Sequence, residues 1–168
     1  TDGPTFSSDN SGYFSFDGTD DHVILTGNEP FTDAQASFTI SLWLYWSGGT
    51  SSHRRIISWG GSPGRFFYGF NYNTGKFDMG LGNITVTPGF AHAPNADTWQ
   101  HFAITNSGTT TSFYKNGELA GTETHSNSVN ISAGQEVAIG QQYGSNDEFF
   151  QGRMGPFQIY NKALSTKE

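Results

Sequence analysis

The chain has 168 residues, a formal net charge of −7 and no cysteine. One sizeable core fits this length, but the acidic balance and the scatter of Lys and Arg exclude nucleic acid and anionic membrane surfaces as partners, and the missing thiols exclude disulfides and cysteine chemistry. No run of eighteen apolar residues occurs, so no helical insertion into a membrane is expected.

Only 34% of residues are hydrophobic while 15% are aromatic, so rings must fill much of the core. The twenty-two Gly, with many Ser, Thr and Asn, suit short strands joined by turns. Strand-like runs recur about every ten residues, the habit of a sandwich or barrel. They cover 12–16, 21–25, 38–46, 54–59, 66–72, 76–81, 84–87, 99–105, 111–115, 118–122, 136–139 and 152–160. No internal repeat divides them, so residues 1–168 are expected to form one domain, and the polar start at Thr1 reads as a piece excised from a larger chain.

The run 38–46 has the sharpest pattern. Phe38, Ile40, Leu42, Leu44 and Trp46 form one apolar face, and Thr39, Ser41, Trp43 and Tyr45 face the other way. The expected core is Phe38, Ile40, Leu42 and Leu44 with Phe102, Ile104, Val137, Ile139, Phe157 and Ile159. His53, Arg54 and Arg55 follow a Ser- and Gly-rich stretch at the start of the run 54–59, where they are expected either to salt-bridge an acidic sugar or to stand in solvent. Trp59 and Trp99 stand at strand ends, where they are expected to cover the core edge. Asn116-Gly117 is the signal of a two-residue type I′ hairpin, with Thr74-Gly75 a looser version.

Sugar binding needs a ring under the apolar face of a pyranose, flanked by amides, carboxylates or guanidinium groups for the hydroxyls. Trp43 and Tyr45 qualify because they lie opposite a complete apolar face. Tyr68 and Tyr72, in a stripe with Phe66 and Phe70, are further candidates, although core packing competes for the same rings. The loop with Tyr143, Asn146 and Asp147 offers a ring beside polar groups, and Arg54 offers a cation for an acidic sugar. The five histidines contain no pair spaced to share a zinc ion.

Four segments in order resemble the laminin-G-like family of concanavalin-A-like lectin and glucanase domains: Phe16-Asp-Gly-Thr-Asp-Asp-His-Val23; Phe38-Thr-Ile-Ser-Leu-Trp43; Thr98-Trp-Gln-His-Phe-Ala103 with Phe113-Tyr-Lys-Asn-Gly117; and the stretch from Gly152 to Ser165. The ending Tyr160-Asn-Lys-Ala-Leu-Ser165 is similar to versions in phage structural proteins and bacterial surface proteins. The resemblance implies an all-β, two-sheet antiparallel jelly-roll β-sandwich. It implies glycan binding outside the cell, on a cell surface or on a virion, for adhesion or host attachment. Some relatives use calcium, and here Asp20 and Asp21 match paired aspartates of the family, with Asp147 and Glu148 available to complete a site. The Glu-x-Asp-x-x-Glu and Glu-x-Asp-x-Glu strings of the related glucanases are absent, as is the Gln-x-His strand of the sandwich lyases, so no enzyme is expected. The rival expectation is a structural module of a virion or surface assembly that touches protein alone, as a homo-oligomer or against other domains of its parent chain.

Overall fold

The computed structural model describes residues 3–27, 37–48, 53–60, 65–71, 76–82, 84–86, 94–125, 136–145 and 147–166. Thr74, Gly75, Tyr72 and Asn146 therefore lie outside the described residues. In chain order come β1 (Thr5–Ser7), a 3-10 turn (Asp9–Ser11), β2 (Tyr13–Asp17), β3 (Val23–Leu25), β4 (Phe38–Trp46), β5 (His53–Trp59), β6 (Arg65–Asn71) and β7 (Lys76–Gly82). They continue with β8 (Ile84–Val86), β9 (Trp99–Ser107), β10 (Thr110–Lys115), β11 (Glu118–Thr124), β12 (Val137–Ile139) and β13 (Gln151–Tyr160). The expected jelly-roll sandwich is present: a seven-stranded sheet in the order β1-β2-β13-β4-β9-β10-β11 packs on a six-stranded sheet in the order β3-β12-β5-β6-β7-β8. Among the described strands every pairing is antiparallel. No described helix is long and apolar enough to cross a membrane.

The alternation in β4 decides which way the large sheet faces. Phe38, Ile40, Leu42 and Leu44 are at most 1% exposed, and Phe102 and Ile104 of β9 continue the same inner face. Rings knit the two sheets together, as Phe38 meets Phe66 at 5.7 Å and Phe77 meets Phe102 at 4.8 Å. Val137 is buried as expected, while Ile139, Phe157 and Ile159 are partly buried against the same cluster. The Asn116-Gly117 hairpin is also as expected: both residues have positive φ, 51° and 82°, and Lys115 pairs with Glu118 across them.

Two expectations from the sequence fail. Trp59 does not cover an edge; it is fully buried and stacks on Phe66 at 4.0 Å. Arg54 and Arg55 lie in the strand expected at 54–59, but they are not solvated: each is 4% exposed inside β5. The reason is a segment far along the chain. Residues 140–145 and 147–150 lie against β5, where the Gly140 amide donates to Ile56 O at 3.0 Å, the Arg55 amide to Glu148 O at 3.0 Å and the Ser58 hydroxyl to Gln141 O at 2.8 Å. A strand covered on both faces carries no alternation that could announce its burial.

Candidate functional site

The odd-numbered side chains of β4 and β9 stand on the outer face of the large sheet. Register sets Trp43 opposite His101 and Tyr45 opposite Trp99. Trp43 is 44% exposed, and its ring lies 5.5 Å from that of His101. His101 is held in place by Ser41, whose hydroxyl is 2.8 Å from Nε2, and burial lowers the imidazole pKa. Trp99 meets Tyr45 edge-on at 5.7 Å and Tyr13, on β2, also at 5.7 Å. To touch a ring two strands beyond its neighbour β4, the indole must lie across β13.

At that crossing β13 has a bulge between Met154 and Phe157, made of Gly155 and Pro156. Proline is tolerated there because a bulge releases its missing amide from the ladder. Gly155 forms a floor: a Cβ at this position would stand 3.1 Å from Trp43 Cβ and 3.5 Å from the Trp99 ring. The result is a hollow of about 420 Å³ lined by Asn10, Ser11, Trp43, Trp99, Gly155 and Pro156. Its lip is a turn in which Asn10 and Ser11 both hold positive φ, 50° and 71°. Such conformations carry strain for residues other than glycine, and here they set two polar side chains beside two indoles. Chemically this is an aromatic platform with hydrogen-bonding groups at its edge.

The other candidates fall elsewhere. Tyr68 is in the core, 1% exposed and stacked on Phe77 at 5.3 Å, and burial pushes its hydroxyl pKa up. This corrects its candidacy for ligand contact: in a stripe buried on both sides, the face with Phe66 and Phe70 is the inner one. Arg54 is likewise withdrawn from the surface, donating from Nη1 to Phe149 O at 2.5 Å, with its pKa lowered by burial. Tyr143 is half-buried on the segment over the small sheet, where its amide donates to Ser58 Oγ at 2.7 Å. The hollow beside it, lined by Ile24, Glu136, Gln141, Tyr143, Gly144 and Ser145, shares no residue with the Trp43 hollow. Asp147 is exposed and accepts from the Ser145 hydroxyl at 2.6 Å.

The four acids named for calcium are not gathered. Glu148 is engaged by Arg55 Nε at 2.5 Å and by His53 Nδ1 at 3.7 Å. Among the described residues the assembled set is instead Asp17, Asp20 and Asp21, with ligand oxygens within 4.8 Å of one another. This turn is partly self-satisfied. Asp17 Oδ1 accepts the amides of Thr19 at 2.8 Å and Asp20 at 3.3 Å, and Asp21 Oδ2 accepts the amide of Asp17 at 2.9 Å. The Thr19 amide is the main reason the Asp17 carboxyl pKa is lowered. Oxygens left over by these bonds are hard donors of the type calcium takes.

Trp99 is the chief residue missed from the sequence, and a signal for it existed. Phe102 and Ile104 define the inner parity of β9, so Trp99 must face outward, as Trp43 does. Pro156 inside a strand run likewise signals a bulge. Nothing local indicates that Asn10, Ser11, Tyr13 and Arg153 join the same surface.

Residues 17–168 match the model of the concanavalin A-like lectin/glucanases superfamily. No curated protein matches the sequence. Among solved structures, the chain is similar to the binding domain of botulinum neurotoxin serotype G, with a TM-score of 0.74, 13% identity and 97% of this chain covered. It is similar to domain 4 of AbnA, an extracellular arabinanase from Geobacillus stearothermophilus solved in complex with arabinotriose, with a TM-score of 0.73, 15% identity, and 98% of this chain and 78% of that chain covered. Domains LG4-5 of the mouse laminin alpha1 chain match with a TM-score of 0.70 and 11% identity over 98% of this chain. The chain spans 42% of the neurotoxin chain and 45% of the laminin chain.

Proposed function

Because this chain belongs to the concanavalin A-like lectin/glucanases superfamily, we propose that it is a non-catalytic carbohydrate-binding module, acting outside the cell as one domain of a longer protein. The observation that carries the reading is the hollow itself, in which the 44% exposed Trp43 and the indole of Trp99 flank a glycine floor. An exposed tryptophan opposite a complete apolar face contributes little to the core, whereas a sugar ring can bury it by stacking. The fold neighbour from the arabinanase, solved with an oligosaccharide, lends support by analogy alone. For the non-catalytic part, the described residues that line the hollow include no carboxylate, where glycoside hydrolysis requires a pair. Any calcium that assists binding is proposed at Asp17, Asp20 and Asp21. The test is a broad glycan array probed with the wild type, Trp43→Ala and Trp99→Ala: loss of binding with unchanged melting curves supports the site, and retained binding in both variants refutes it.

A second reading has its own observation. Phe6 is 60% exposed, Phe14 44%, Leu25 40% and Ile24 37%, and an apolar cleft of about 520 Å³ opens between the neighbouring sheet edges. Such a surface suits contact with protein. A dimeric or trimeric mass by light scattering, with an empty glycan array, favours this reading over the first.

A further inference from the structure

Beside the hollow, on the same outward face, stands Arg153 of β13, directly opposite Tyr45 in register and two residues before Gly155. Its guanidinium carbon lies 4.7 Å from the centre of the Tyr45 ring and 5.3 Å from that of Tyr13. These rings belong to the strands on either side, β4 and β2, and both also touch Trp99. Ring faces hold a planar guanidinium in place without consuming its five N–H donors.

Among the described residues no hydrogen bond consumes these donors. The described ion pairs engage Arg55 and His53, and among the described residues no carboxylate pairs with Arg153. Asp97, at the far end of the Tyr45 ring, accepts the Tyr45 hydroxyl at 3.3 Å. In a chain with fifteen acidic and eight basic residues, a partly buried arginine steadied by rings and left without an acid is poised for an anion supplied from outside. A guanidinium fork matches the planar, two-oxygen edge of a carboxylate or sulfate.

We infer that the Trp43–Trp99 hollow takes an anionic sugar, whose carboxylate or sulfate is held by the fork of Arg153 while its ring stacks on an indole. This rests on the sugar-binding reading of the same hollow and narrows it to a charged class. The Arg54 that the sequence offers for this task is buried in β5, and Arg153 occupies the role on the opposite sheet.

The experiment uses matched probes that differ in charge: oligogalacturonates and oligomannuronates beside their methyl esters, and a sulfated galactan oligosaccharide beside its desulfated form. The wild type should bind at least one acid about tenfold more tightly than its neutral partner, the worth of one charge-assisted fork. The advantage should shrink as salt rises from about 50 mM to about 500 mM. Arg153→Gln should lower the affinity for that acid to that of its neutral partner, and Arg153→Lys, which keeps charge without the fork, should fall between; melting curves check that both fold. A wild type that binds acid and neutral partner equally, or a preference that survives in folded Arg153→Gln, overturns the inference while leaving the sugar site standing if Trp43→Ala still abolishes binding. An array with no sugar bound, neutral or charged, overturns the sugar site and the inference with it.

Discussion

Trp99 lies 3.5 Å from the point where a side chain on Gly155 would begin, and Trp43 Cβ lies 3.1 Å from the same point. The hollow therefore exists because position 155 carries no side chain. Gly155→Val should fill it, reducing glycan binding about tenfold or more, at a folding cost of about 1–3 kcal/mol from crowding. Calorimetric titration beside a melting curve checks this. Full affinity in a folded Gly155→Val protein would place the sugar elsewhere.

The two indoles Trp43 and Trp59 separate binding from stability. Trp43 is 44% exposed, so Trp43→Ala should change stability by no more than about 0.5 kcal/mol while weakening sugar binding by about 0.5–1.5 kcal/mol beyond its lost area. Trp59 is fully buried, so Trp59→Ala should cost about 3–5 kcal/mol of folding free energy. Denaturant titration of both variants measures the contrast, and equal destabilisation would contradict the assignment of the two faces.

His101 makes stability depend on mild acid. Burial holds its pKa below the ordinary histidine value of about 6.5, so the folded ring stays neutral at pH values where the unfolded chain binds a proton. The stabilisation is complete above about pH 6.5 and is lost as pH falls through the lower, folded value. Melting temperatures between about pH 8 and about pH 5 should show this decline in the wild type and a flatter profile in His101→Gln. Parallel profiles would assign the decline to other groups.

The Asp17 turn gives a separate acid limit and a calcium test. With its pKa lowered chiefly by the Thr19 amide, Asp17 contributes stability that is present above the ordinary aspartate value of about 3.9 and lost as pH falls below it. Calcium held by Asp17, Asp20 and Asp21 would raise stability by about 2.7 kcal/mol at a hundredfold excess over its dissociation constant, and Asp20→Asn would remove most of that gain. A melting temperature that is the same in millimolar calcium and in chelator assigns the three carboxylates to the turn alone.

The sequence by itself determined the strands and, in β4 and β9, the face on which each side chain stands. The side-chain period of a strand is two, so a complete inner row of Phe38, Ile40, Leu42 and Leu44 forces Trp43 and Tyr45 outward, and Phe102 with Ile104 does the same to Trp99. Only the tertiary structure decided which strands became neighbours. β13, from the far end of the chain, inserts between β2 and β4, which brings Arg153 between Tyr13 and Tyr45 and sets the Gly155 bulge beneath two indoles. The same holds for β5, where residues 140–145 and 147–150 bind Arg54 and Arg55 and turn expected surface cations into interior ones. Local alternation reports which side of its own strand a residue occupies, but register between distant strands and cover from distant segments come from the packing of the whole sandwich, which no short stretch of sequence encodes.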